Sequence, residues 1–185
     1  MRFSRLLSFV VLLLVVAVLA LLCALRSYQL FTGEELVAVI QCEVPPEGSP
    51  YRYLLRFSSF EGASRVLSQE FPMHGDQWSV GGDILKWHPW LNWIGLKNCY
   101  KLTRVSSRYL KAQDEIKNPK SAYDLNGGTD SFWRWLYRWG RSLPLVEAVY
   151  GNTAYTMAEP GSRWGVYVTL SGYLVKPLPG PPIRW

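Results

Sequence analysis

Leu36-Val37-Ala38-Val39-Ile40-Gln41-Cys42-Glu43-Val44 is broken by Pro45-Pro46-Glu47-Gly48-Ser49-Pro50, and an apolar pattern resumes from Tyr51 to Phe60. In the first run Leu36, Ala38, Ile40, Cys42 and Val44 share one face, with Gln41 and Glu43 on the other. In the second run Tyr51, Tyr53, Leu55 and Phe57 share a face, with Arg52 and Arg56 opposite. Successive strand side chains point to opposite sides of a sheet. An apolar set at period 2, bounded by turn formers, therefore predicts an antiparallel hairpin with one solvated face.

The pattern continues toward the C-terminus. Further strands are expected over Ser64–Phe71, Gln77–Trp87, Cys99–Leu110, Ser121–Leu125, Ala148–Ala158 and Arg163–Leu170. Gly81-Gly82 inside the second of these marks a bulge or sharp bend. Pro160 and Gly161 occupy the two central positions of a type II turn, which predicts that the strands on either side pair. Gly172 to Lys176 reads as an extension of the last strand, and 177–185 as a Pro-rich tail excluded from any central strand. One segment has helical periodicity instead. From Phe132 to Arg141, Phe132, Trp135, Leu136 and Trp139 form an apolar face and Arg134, Arg138 and Arg141 the opposite one. Asp130 is the expected N-cap, and Pro144 ends the helix. The sum is mainly β: an antiparallel β-sandwich or small barrel of seven or eight strands with one amphipathic helix.

Toward the N-terminus the character changes. Leu6 to Leu25 is nearly uninterrupted apolar sequence. At about 1.5 Å rise per residue, some 20 such residues span roughly 30 Å, the thickness of bilayer hydrocarbon. A cleaved signal would want small residues where Leu21 and Leu22 stand, and Leu22 before Cys23 argues against a lipoprotein site. An uncleaved transmembrane helix over 6–28 is therefore expected, behind a cytoplasmic stub at 1–5 and ahead of a β-domain at 33–176. Arg2 and Arg5 precede the run, and Arg26 alone lies close behind it, so the N-terminus is expected in the cytoplasm.

Composition narrows the rest. The chain is 49% hydrophobic and 18% charged, which excludes a disordered polymer. A net charge of +6, most of it beyond the span on the far side of the membrane, argues against nucleic acid. His74 and His88 are the only histidines, and neither lies in a zinc-binding or nucleophile motif. No metal, cofactor or catalytic residue is assigned, and the chain is read as a non-enzyme. Cys42 and Cys99 could form one disulfide or stay separate thiols.

Two aromatic elements are the candidate binding residues. Trp87, Trp90 and Trp93 recur every third residue beside Pro89. Next to a lipid anchor they suit a membrane-interface belt, and equally a loop folded back into the core. Phe132, Trp135 and Trp139 with Arg134, Arg138 and Arg141 suit a helix resting on anionic lipid or a partner, and equally a helix packed on a sheet with its arginines solvated.

The phrases Asp76-Gln77-Trp78, Ile84-Leu85-Lys86-Trp87 with Pro89-Trp90, Tyr100-Lys101-Leu102-Thr103-Arg104, Ser107-Arg108-Tyr109 and Glu147-Ala148-Val149-Tyr150-Gly151 resemble a family of small single-pass proteobacterial membrane proteins. Its members often carry the label "multidrug transporter" or "cation/multidrug efflux pump". The resemblance implies an inner-membrane protein with its β-domain in the periplasm, and it supplies no catalytic residues. One span cannot build an alternating-access site, so the label fits at most an accessory to an efflux system. The expectation is a non-enzymatic binding component of the cell envelope with an unidentified protein partner. A carrier or sensor of an apolar ligand is the alternative, and a small hydrolase using His74 or His88 a remote one.

Overall fold

The computed structural model describes residues 2–61 and 64–179; side chains are described within these except at 2–7, 24–32, 61 and 64–67. Helix α1 runs over Arg2–Thr32. Nine strands follow: β1 (Glu35–Glu43), β2 (Tyr53–Glu61), β3 (Ser64–Met73), β4 (Gln77–Trp87), β5 (Cys99–Arg108), β6 (Ala122–Asp124), β7 (Val146–Met157), β8 (Arg163–Val168) and β9 (Tyr173–Pro177). Three helices lie among them: α2 (Pro89–Trp93), α3 (Ala112–Lys117) and α4 (Ser131–Trp139), the last prolonged by a 3-10 turn over Gly140–Ser142.

The strands form two antiparallel sheets, ordered β3-β2-β1-β8-β9 and β6-β5-β4-β7. The core lies between them. Ala38, Ile40 and Cys42 of β1 and Tyr53, Leu55 and Phe57 of β2 meet Trp78, Val80 and Ile84 of β4 and Leu102 and Val105 of β5. The β1 and β2 residues here belong to the period-2 sets read from sequence, though Leu36 and Val44 of the β1 set are exposed. β1 is buried on both faces, Val39 and Gln41 included, so the solvated face expected of it is not found; it is a central strand, flanked by β2 and β8. At one side of the sandwich the Tyr123 hydroxyl of β6 donates to the Pro72 carbonyl of β3 at 2.8 Å. At the other, the Asn152 carboxamide of β7 accepts from the Tyr173 amide of β9 at 2.8 Å.

The bulge expected at Gly81-Gly82 is present in the β4–β5 ladder. A Cβ on Gly82 would lie 2.6 Å from the Tyr173 hydroxyl and against the Lys101 carbonyl, so only glycine lets β5 and β9 close in there. The turn at Glu159–Ser162 also forms, with Ser162 N–H donating to the Glu159 carbonyl at 3.0 Å and Gly161 at φ +83°. The pairing expected across it does not. β7 pairs with β4, and β8 with β1 and β9, so the turn crosses from one sheet to the other. It is held to β1 instead: Gly161 N–H donates to the Cys42 carbonyl at 2.7 Å, and Cys42 N–H to the Ser162 carbonyl at 3.1 Å. The segment after Gly172 is a strand of its own rather than an extension of β8. The end of the Pro-rich tail, from 180, lies outside the described residues.

The segment 6–28 lies within helix α1. Among the described residues no helix is long and apolar enough to cross a membrane.

Cys42 and Cys99 are both free thiols, so the disulfide weighed from sequence is not formed. The fold keeps them apart. Lys97 of the loop before β5 pairs with Glu35 at 2.8 Å, placing the start of β5 near the start of β1. Cys42 lies seven strand residues further along, roughly 23 Å at strand rise, against the 4.4–6.8 Å between Cα atoms that a disulfide needs. Burial pushes the Cys42 thiol up to about 12, opposed in smaller measure by Ser162 and Trp78. In a Cys23→Ser variant at pH 8, one thiol (Cys99) should react at once with a water-soluble disulfide reagent, and a second only after denaturation. Two prompt thiols, or none, would contradict this placement.

Candidate functional site

Helix α4 starts where the sequence places it. The Asp130 carboxylate accepts from the Trp133 amide at 3.0 Å and from the Lys101 ammonium at 2.8 Å. The lysine first, then the helix amides, hold that carboxyl below its ordinary range. What α4 does with its faces differs from the two-sided reading. Trp133 and Leu136 are the buried residues, packed on Leu85, Val146 and Val149 across the outer face of the β4–β7 pair. Gly140 completes this inward stripe, since a Cβ there would come within 2.7 Å of Val149. Phe132, Trp135 and Trp139, expected to share one apolar face with Leu136, are exposed, Phe132 to 60%.

At about 100° per residue the helix therefore has three stripes, roughly 120° apart. Trp133, Leu136 and Gly140 face the sheet. Arg134, Arg138 and Arg141 form the second stripe, and Phe132, Trp135 and Trp139 the third. Phe132 and Trp135 stack on each other at 6.4 Å with 18° between ring planes. The Arg138 guanidinium lies 5.6 Å from the Trp139 ring centroid. Among the described residues no carboxylate pairs with any of the three arginines.

One polar contact fixes α4 in rotation. The Tyr137 hydroxyl donates to Asp83 Oδ1 at 2.8 Å, where Asp83 is 5% exposed in the middle of β4. Burial, and then Asp83 itself, push the Tyr137 phenol well above its usual range. Asp83 Oδ2 has no partner. Neither Asp83 nor Tyr137 was singled out from sequence. The only signal was Gly151 opposite Asp83, a gap into which the tyrosine reaches.

The Trp87, Trp90 and Trp93 series divides. Trp87 is half-buried against the α4 cluster, and its indole donates to the Lys97 carbonyl at 3.1 Å. It braces the loop. Trp90 and Trp93 are exposed, at 55% and 44%, together with Ile94 and Leu96. The loop that presents them is tied from inside by Asn92, a buried residue the sequence did not flag. Its Nδ2 donates to the Leu96 carbonyl at 3.0 Å and to Asn98 Oδ1 at 3.1 Å. Asn98 Oδ1 in turn accepts from the Trp87 amide at 3.3 Å.

These elements meet at one end of the sandwich. His88 N–H donates to the Leu145 carbonyl at 3.1 Å, joining the α2 loop to the segment between α4 and β7. That segment adds exposed Leu143 and Leu145. α1 leaves the domain at the same end: its backbone runs close to α2. Residues Gly33 to Glu35 share a groove of about 310 Å³ with Gly95, Leu96 and Lys97.

The histidines are engaged locally. His74 Nδ1 lies 3.0 Å from Ser121 Oγ, which also accepts from the His74 amide at 3.1 Å and belongs to a 6%-exposed residue. Among the described residues no carboxylate hydrogen-bonds either histidine, and no group of three His, Cys, Asp or Glu could hold a metal ion. No protein-family model matches the chain, and no curated protein or solved structure matches it either.

Proposed function

We propose that the chain is a single-pass inner-membrane protein whose periplasmic β-sandwich is a non-enzymatic binding or accessory component of the cell envelope. The Trp- and Arg-bearing end of the sandwich rests at the membrane surface. One observation carries the reading: the exit of α1, the exposed Trp90 and Trp93, and the route from α4 into β7 share one end of the domain. In α1 itself Phe9 through Val16 are eight consecutive exposed apolar residues, more than two full turns, so no face is left for water. Lipid satisfies such a helix, because every backbone group is bonded inside it. Indole rings beside it suit headgroup depth, and unpaired arginines suit lipid phosphate.

The filled core, with Trp78, Tyr53 and Phe57 almost wholly buried, favours binding at the surface over carriage of a ligand inside. The likeness to proteins labelled as efflux pumps is accommodated as an accessory role, in which the sandwich engages a multi-span partner.

The test uses a fragment starting at Gly33 and vesicles with and without anionic lipid. The fragment should sediment with anionic vesicles. Arg134→Glu, Arg138→Glu and Arg141→Glu together should weaken this on the order of 100-fold, at about 1 kcal/mol for each basic residue near the surface. A parent fragment that stays in the supernatant at low salt would end the membrane-surface part of the reading.

A further inference from the structure

The outer face of the β6-β5-β4-β7 sheet has a gap in it. Directly opposed residues of an antiparallel ladder send their side chains to the same face, so the register reads this surface row by row. One row is Gly151, Asp83 and Lys101; the next is Thr153, Gly81, Arg104 and Asp124. Gly81 and Gly151 leave two positions without a side chain. Tyr137 reaches from α4 over Gly151. Over Gly81 a slot of about 190 Å³ remains, lined by Asp83, Arg104, Ser106 and Thr153.

Two opposite charges border the slot, and they do not meet. The Tyr137 hydroxyl fixes Asp83 Oδ1, while Oδ2 is shielded from water and has no partner. A buried carboxylate oxygen without a bond is costly, so a site that holds one calls for an explanation. Lys101, directly across the ladder, does not supply the bond, because its ammonium is drawn to Asp130 at 2.8 Å. Arg104 is exposed, and among the described residues no carboxylate pairs with it, neither Asp83 nor the Asp124 opposite it. Asp83 and Arg104 are diagonal neighbours on one sheet face, a relation that sets Cα atoms about 7–8 Å apart. The arginine is the only long, flexible side chain in the lining, so it is the wall that yields to an incoming group.

We infer that this slot binds a free α-amino acid as its zwitterion, the ammonium donating to Asp83 Oδ2 and the carboxylate accepting from the Arg104 guanidinium. Charge selects the class. A simple cation would be repelled by Arg104 and a simple anion by Asp83, whereas a zwitterion satisfies both. The planar fork of arginine matches a carboxylate. The ammonium has three donors, and the Thr153 hydroxyl is a second acceptor in the lining. The slot is smaller than the roughly 300–1,000 Å³ of a pocket for drug-sized ligands, so its occupant is small. The site lies on the outer face of one sheet and uses neither α1 nor the exposed tryptophans. It therefore holds whether or not the domain rests on lipid.

The test uses the full chain in detergent and the standard protein amino acids, each at millimolar concentration, in thermal melts followed by calorimetric titration. At least one small amino acid should raise the melting midpoint and titrate to saturation. Its binding should weaken at least tenfold in Asp83→Asn, which keeps an oxygen for Tyr137, and at least tenfold in Arg104→Gln. Arg104 is exposed, so Arg104→Gln folds and decides the matter even if Asp83→Asn does not fold. The amine lacking the carboxylate and the acid lacking the ammonium should each bind at least tenfold more weakly than the amino acid itself. If no amino acid shifts the midpoint, Oδ2 meets only water and the site is overturned. Binding that either folded variant leaves unchanged lies elsewhere and overturns it as well. An amine that binds as tightly as its amino acid overturns the role of Arg104 and the zwitterion with it.

Discussion

Placing two arginines in the middle of α1, Leu14→Arg with Val18→Arg, is expected to move the protein out of the membrane fraction. Both side chains are apolar and exposed. A charged residue near the centre of a spanning helix costs about 2.5–3.5 kcal/mol by insertion scales, so the pair costs about 5–7 kcal/mol. That is enough to reverse a single-span insertion. Alkaline extraction of membranes is the measurement. The unmodified chain should stay in the pellet and the double variant should be released. Circular dichroism of the released protein should keep its sheet signal, because the core lies between β1 and β9 and does not include these residues. If the unmodified chain is itself extracted, α1 is not a span, and its apolar surface must be covered by protein.

Trp78→Ala is expected to be the most damaging single change in the domain. Trp78 is the largest of the fully buried side chains, pointing from β4 into the layer shared by both sheets. Truncating a buried aromatic residue costs about 3–5 kcal/mol, since the cavity collapses only in part. Against a net stability of about 5–15 kcal/mol for a typical domain, that is a large share. The midpoint should fall by roughly 6–20 °C for a domain of this size. Trp90→Ala is the matched control. Its ring is 55% exposed, so its loss should stay within about 0.5 kcal/mol. Thermal melts of the two variants beside the parent decide the matter. Equal losses would mean that the α2 loop packs more tightly than its exposure implies.

The contrast between these two tryptophans marks how far the sequence could be read. Trp78 stands between Gln77 and Ser79, and Trp90 between Pro89 and Leu91, each in a stretch of mixed polar and apolar residues. Trp78 follows the alternation of β4, with Val80 and then Ile84 beyond the bulge, in a strand whose extent and bulge were legible. Trp90 has no period to follow, because α2 is one turn set by Pro89 and the Asn92–Asn98 contacts. Such a loop is specified by polar bonds between residues that carry no periodic signal. Helix α4 shows the same limit in another form. Its boundaries and Asp130 cap were readable, since caps are local chemistry. Its orientation was not. Phe132, three tryptophans and Leu136 spread over more than half the wheel, so two apolar arcs competed. Gly140 against Val149, and Tyr137 reaching Asp83, chose between them.

By itself, then, the sequence determined the apolar helix, the run of antiparallel strands, the core-facing residues of β1 and β2, the bulge at Gly81-Gly82 and the turn at Pro160-Gly161. All of these depend on residues within a few positions of one another. Only the tertiary structure decided that β7 and β8 part into different sheets, and that Cys42 and Cys99 lie a strand length apart. It also gathered Trp90, Trp93 and the exit of α1 at one end. Each of those depends on which distant segments meet, and hydrophobic burial, being non-directional, fixes that only when the whole core closes.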